Sequence, residues 1–226
     1  MQLGQVMIKS DMQLKREVEE ELRWDPKLNA AHIGVAVDRG AVSLLGVVDT
    51  YAEKWAAEDA TKRVGGVCAI AQDLTVMVLA EHARSDSEIA AAIQHALTWD
   101  VIVPKTVTAK VEQGVVTLAG QVTRQHQRQA AEHAIRYLKG VVGVVNSIVL
   151  AKPEASAEQV KMKVEAALQR QAAADAKSIR VDAVGGKVTL TGHASSWQAI
   201  EDAAHAAWAA PGVTDVLDQV RISMTI

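Results

Sequence analysis

A chain of 226 residues with 49% hydrophobic side chains can bury the cores of one to three domains. Its net charge of −3 and pI near 6.2 exclude a generally basic nucleic-acid binder. The single cysteine, Cys68, excludes an internal disulfide and a Cys-rich metal site, and no apolar run reaches the roughly 18 residues of a membrane span.

The N-terminal stretch MQLGQVMIKSDMQLKRE has no basic leader and too short an apolar run for a signal peptide. As written the chain is expected to be cytoplasmic, and periplasmic if a leader has been removed. Ser10-x-x-Gln13 then forms a capping box, in which hydroxyl and carboxamide satisfy free amides at a helix start. Leu14, Val18 and Leu22 give that helix one apolar stripe, and Trp24-Asp25 closes it. Ile33, Val35 and Val37 alternate as a half-buried strand, and the turn DRG leads into GAVSLLGVV, residues 40–48. Val42 and Leu44 point to the same core, which predicts a β-hairpin. Asp49 suits the N-cap of a second helix whose small inner residues, Ala57 and Ala60, allow close approach to the sheet. A turn at Gly66 ends it, and Leu74 and Val76 point inward from a third strand. A right-handed crossover lays that strand parallel beside the second.

The same order recurs twice. Gly40, Gly114 and Gly186 are spaced by 74 and 72 residues, and so are Gly46, Gly120 and Gly192, and Gly66, Gly140 and Gly212. Three landmarks in one register mark a triplicated domain of about 70 residues. Ser85-x-x-Glu88 and Ser156-x-x-Gln159 repeat the capping box, and Ile89/Ile93/Leu97 and Val160/Val164/Leu168 repeat the stripe. Thr123 and Ser195 stand where Asp49 does. The expected units are 1–80, 81–152 and 153–226, joined by the short polar stretches AEHARSD and AKPEASA. The predicted class is α+β: three tandem αββαβ units, each a three-stranded mixed sheet with two helices on one face.

The phrase G-V-V-T-L-x-G-x-V of Gly114–Val122, an alanine-rich helix, and K-G-V-x-x-V-x-N of Lys139–Asn146 closely resemble the BON domain. That domain is named for bacterial OsmY-like and nodulation proteins. The resemblance covers nearly the whole chain, three times over. It implies the αββαβ fold and a non-enzymatic protein of osmotic or envelope stress that attaches to phospholipid. Other members imply a chaperone-like scaffold or a cytoplasmic sensor of potassium or another small ion. No shared catalytic residues and no cofactor come with it.

The residues themselves offer few sites. The glycines are not a phosphate loop, because the signature G-x-x-x-x-G-K-[ST] is missing and the residues between them alternate as a strand. His126 and His133 lie two turns apart, too far for shared ligation, and no metal is expected. No G-x-S-x-G elbow suggests an enzyme. Trp24 and Trp99 are expected to cover the open edges of small cores, the functional alternative being a dip into a membrane interface. The third unit has Gln171-Ala172 at that place.

Residues 1–80 carry a charge of −3, residues 81–152 +2 and residues 153–226 −2. Arg124, Arg128, Arg136 and Lys139 share one arc of the middle unit's second helix, a candidate contact for anionic lipid or an acidic protein. The outward sheet face is apolar in unit 1 (Ala36, Ala41, Leu45, Met77, Leu79) and intermediate in unit 2 (Val115, Ala119, Val149). In unit 3 it is polar, with Arg180, Asp182, Lys187, Thr189, Thr191 and Arg221. The first two faces are expected to be covered by each other or by a second copy of the chain, the third to stay wet.

Overall fold

The computed structural model describes residues 9–151, 156–171 and 178–222. Along the first unit run α1 (Asp11–Trp24), β1 (Ile33–Asp38), β2 (Ala41–Val48), α2 (Tyr51–Arg63) and β3 (Ala69–Val76). The second holds α3 (Asp86–Trp99), β4 (Thr108–Glu112), β5 (Val115–Val122), α4 (Gln125–Arg136) and β6 (Gly143–Leu150). The third holds α5 (Ala157–Gln171), β7 (Ile179–Val184), β8 (Lys187–Ala194), α6 (Trp197–Ala209) and β9 (Asp215–Ile222). The strands form three separate sheets ordered β1-β2-β3, β4-β5-β6 and β7-β8-β9. In each the first pair is antiparallel and the second parallel, the α+β architecture expected from the repeat.

Each unit has its own core. Leu14, Val18 and Leu22 of α1 and Ala57 and Ala60 of α2 close on Val35, Val42, Leu44 and Leu74. The equivalent sets form around Ile89, Ile93 and Ala131 in unit 2 and around Val160, Val164 and Ala203 in unit 3. The glycine register has a steric cause at one point. A Cβ on Gly46, Gly120 or Gly192 would lie 2.0, 2.2 or 2.0 Å from the carbonyl oxygen of His32, Thr106 or Ser178, and each φ is near +130°. Only glycine fits where the second strand crosses the entry to the first.

A clamp not foreseen in the sequence holds two of the three hairpins. The Asp11 carboxylate accepts the backbone N–H groups of Arg39 and Gly40 at 2.9 and 3.1 Å. Asp86 does the same for Gln113 and Gly114 at 2.8 and 2.9 Å. Arg39 and Gln113 are the two non-glycine residues with positive φ among the described residues, at 48° and 51°. Unit 3 has Ala157 in place of the aspartate, and Gly185 in place of the strained residue, with φ 61°. Left-handed backbone is costly for a side chain. Two units offset it with a carboxylate and the third avoids it with glycine.

The helix starts follow the capping chemistry with two corrections. Ser85 and Glu88 form the full reciprocal box, whereas Ser10 and Ser156 accept from the backbone of Gln13 and Gln159 without a returned bond among the described contacts. The second helices are capped one residue later than Asp49, Thr123 and Ser195, at Thr50, Arg124 and Ser196. In the first two, the shift lets the third helical residue reach back: Glu53 accepts from Asp49 N–H, and Gln127 from both Thr123 and Arg124.

Helix α2 of unit 1 meets both other units. Tyr51 packs against the core of unit 2, and the Arg136 guanidinium lies 3.7 Å above the Trp55 ring. At its other end Lys62 pairs with Glu58 and with Glu201 of α6, at 3.1 and 3.2 Å. The outward sheet faces, by contrast, do not cover one another within the chain. Leu45, Met77, Val115 and Val149 all stay exposed, so of the two coverings expected, each other or a second copy of the chain, the first is corrected. The contact between those units runs instead through α2, at Tyr51 and Trp55.

Candidate functional site

The end of α3 carries three exposed apolar side chains in four residues. Trp99 is 74% exposed, Val101 99% and Ile102 46%. The helix stops there because Asp100 turns to extended backbone, its carboxylate accepting the N–H of Ile102 at 2.8 Å. Val103, the next residue, plunges into the core and anchors the turn from below. The three are thus presented outward on a short, tied loop. His95, one turn back, tilts its ring 5.7 Å from that of Trp99.

The expectation that the tryptophans cover core edges is wrong for both described cases. Trp24 is 80% exposed, and the core edge beneath it is closed by Leu28 instead, as Val103 closes it beneath Trp99. Trp24 stands without the flanking Val-Ile pair, since Pro26 and Lys27 occupy those places. The equivalent end of α5, at Gln171-Ala172, lies outside the described side chains. Val101 and Ile102 were missed because V-I-V reads as one apolar run, and only the Asp100 turn splits it into two outward residues and one inward.

The arc of four cations does not form one surface. Arg136 is only 9% exposed: besides stacking on Trp55 it bonds Glu132 at 3.1 Å. Arg128 donates to the Asn146 carbonyl at 3.2 Å, and the Asn146 carboxamide donates back to the Arg128 carbonyl and to Glu132. That exchange latches α4 to β6. Unit 1 has its counterpart in Lys54, bonded to the Leu74 carbonyl, and Gln72, bonded to the Lys54 carbonyl. In unit 3, Ile200 and Asp218 replace the pair. Arg124 and Lys139 remain exposed, at opposite ends of α4. Helical periodicity aligned the four, but nothing in it shows that unit 1 lies against the far end.

His126 and His133 are exposed, the latter edge-on to Tyr137. Among the described residues no three His, Cys, Asp or Glu side chains converge as a metal site, and no helix is long and apolar enough to cross a membrane. Cys68 is half-buried with its thiol toward the Gly66 carbonyl.

Comparison with known proteins matches the repeat directly. The BON domain model matches residues 10–77, 85–152 and 156–224. The osmotically-inducible protein Y of Escherichia coli (strain K12) is 29% identical over 143 residues, 61% of this chain and 71% of its own. A structure of CdsD, a structural protein of the type III secretion system of Chlamydia trachomatis, aligns over 93% of this chain and 92% of its own. It does so at 13% identity and a TM-score of 0.27, too low to bear on function or on how the units are placed. With three matches that together span most of its length, the chain belongs to the BON-domain family.

Proposed function

We propose that this is a non-enzymatic protein of the osmotic or envelope stress response that attaches reversibly to anionic phospholipid surfaces. The relative's name supplies the stress association. The observation that carries the lipid reading is the exposed Trp99–Val101–Ile102 knob, presented by the one unit with net positive charge. Trp prefers the membrane–water interface, where its ring is half apolar and its N–H stays wet. Burying each aliphatic side chain contributes about 1.5–3 kcal/mol, so the knob can hold a surface without inserting a span. Lys105 follows the knob by three residues and adds about 1 kcal/mol near an anionic surface, as each such cation does.

Co-sedimentation with vesicles of graded phosphatidylglycerol content tests this. Binding is expected to rise with anionic lipid, to fall with salt, and to be abolished by Val101→Asp/Ile102→Asp, both of which leave the core untouched. Equal binding by the parent and this variant would refute the reading.

The uncovered apolar face of unit 1 supports a second contact. We infer that Leu45, Met77 and Leu79, all exposed, meet the same face of a second copy of the chain. Sedimentation equilibrium of Leu45→Lys against the parent tests it, the variant being expected to dissociate at concentrations where the parent does not.

A further inference from the structure

Units 2 and 3 enclose an open cleft of about 770 Å³ that the lipid reading leaves unused. On one side it is lined by Arg124 and His126, from the start of α4. On the other it is lined by Lys163 of α5, His205 and Trp208 of α6, and the turn Pro211–Thr214. The lining contains two cations and two imidazoles and neither an Asp nor a Glu. In a chain with more acids than bases, that is a marked local imbalance. Among the described lining residues the end of α6 opposes this, and there the N–H groups of Ala210 and Val213 take the carbonyls of Ala207 and Ala210.

Two further features suit a ligand. Gln125, also in the lining, has a side-chain oxygen that is buried and has no hydrogen-bond partner. A buried polar group left unpaired is costly, and a turn of the carboxamide toward the cleft would let a bound hydroxyl or amine satisfy it. Trp208 is half-buried against the core of unit 3 and so is held in place as a flat apolar wall. The volume falls within the range of small-molecule sites, which combine apolar walls with a few convergent polar groups.

We propose that this cleft binds a soluble organic anion, a phosphate-bearing small molecule whose charge lies between Arg124 and Lys163 and whose body lies on Trp208. Neither cation has another ion-pair partner within 4 Å among the described residues. Binding at this site ties units 2 and 3 together, because each contributes one charge.

Calorimetric titration of the full chain with adenosine 5′-monophosphate, glycerol 3-phosphate and adenosine tests the proposal. The monophosphate nucleotide is expected to bind best, glycerol 3-phosphate more weakly for want of a ring, and uncharged adenosine not at all. Arg124→Ala and Lys163→Ala should each weaken nucleotide binding about ten-fold, the value of one charge-assisted hydrogen bond. Lys139→Ala, which removes an exposed cation outside the cleft, should leave it unchanged. Far-UV circular dichroism confirms that these surface variants fold. Absence of heat with both phosphates, or unchanged affinity in the Arg124→Ala/Lys163→Ala variant, would overturn the proposal. So would displacement of the nucleotide by phosphatidylglycerol vesicles, which would make the anion a lipid headgroup instead.

Discussion

The guanidinium of Arg136 in α4 lies 3.7 Å above the ring of Trp55 in α2, joining the second unit to the first through a stacked cation. The arginine is held there by Glu132 and is nearly excluded from solvent. A desolvated cation–π pair contributes up to about 2 kcal/mol. A double-mutant cycle on Arg136→Ala and Trp55→Ala, read by urea unfolding, should therefore give a coupling of about 1–2 kcal/mol. Additive single effects would mean that the two residues do not act as a pair.

The hairpin clamp predicts a rescue. Asp86→Ala should destabilise unit 2 by about 1–3 kcal/mol, because it leaves two N–H groups and a left-handed Gln113 without their partner. Adding Gln113→Gly should recover about 1 kcal/mol of it, reproducing the solution that Gly185 provides in unit 3. Thermal unfolding of the three variants checks the order. No recovery on adding the glycine would mean that strain at Gln113 is not what the carboxylate offsets.

Steric room likewise separates a glycine shared by all three units from one that is not. Gly120→Ala should unfold unit 2 or cost it upwards of about 4 kcal/mol, since its Cβ would lie 2.2 Å from the Thr106 carbonyl oxygen. Gly143→Ala, whose nearest contact would be an ordinary 3.7 Å to Val115, should stay within about 0.5 kcal/mol of the parent. Hydrogen exchange resolved by unit measures both.

Unit 1 carries an acid-sensitive tie that unit 2 lacks. Arg63 bonds Asp25, Glu21 and Asp59, each at 2.8 Å, and Tyr137 stands at its place in unit 2. Burial raises the Asp25 pKa, but the Lys27 N–H and the Arg63 guanidinium outweigh it and hold the carboxyl below its ordinary value. A depressed folded pKa stabilises at pH values above the ordinary carboxylate range, and the contribution is lost as pH falls through the folded value. Unfolding of unit 1 by acid should therefore begin at higher pH in Arg63→Ala than in the parent, while Tyr137→Ala leaves its onset unchanged. Coincident acid transitions in Arg63→Ala and parent would contradict this.

The fold was legible because its signals are local. Three copies of a capping serine, an i, i+4, i+8 stripe and an alternating hairpin fixed helices and strands without reference to distant residues. Relations across sequence were not legible. Asp11 and Asp86 read as ordinary first-turn acids, although each reaches a turn more than 25 residues away. Arg136 read as a member of a surface arc because the helix period says which residues share a face and not what lies against it. Trp99 read as core cover because a tryptophan in a small domain is usually buried, and the turn at Asp100 that exposes it is a matter of one hydrogen bond.

The most direct test of the lipid reading is the depth of one indole. Vesicles of phosphatidylglycerol brominated along the acyl chain quench only tryptophans that enter the interface. The account predicts strong quenching of the parent, a blue shift of its emission, and loss of most of that quenching in Trp99→Phe. Quenching that is absent, or equal in parent and variant, would contradict attachment through the end of α3.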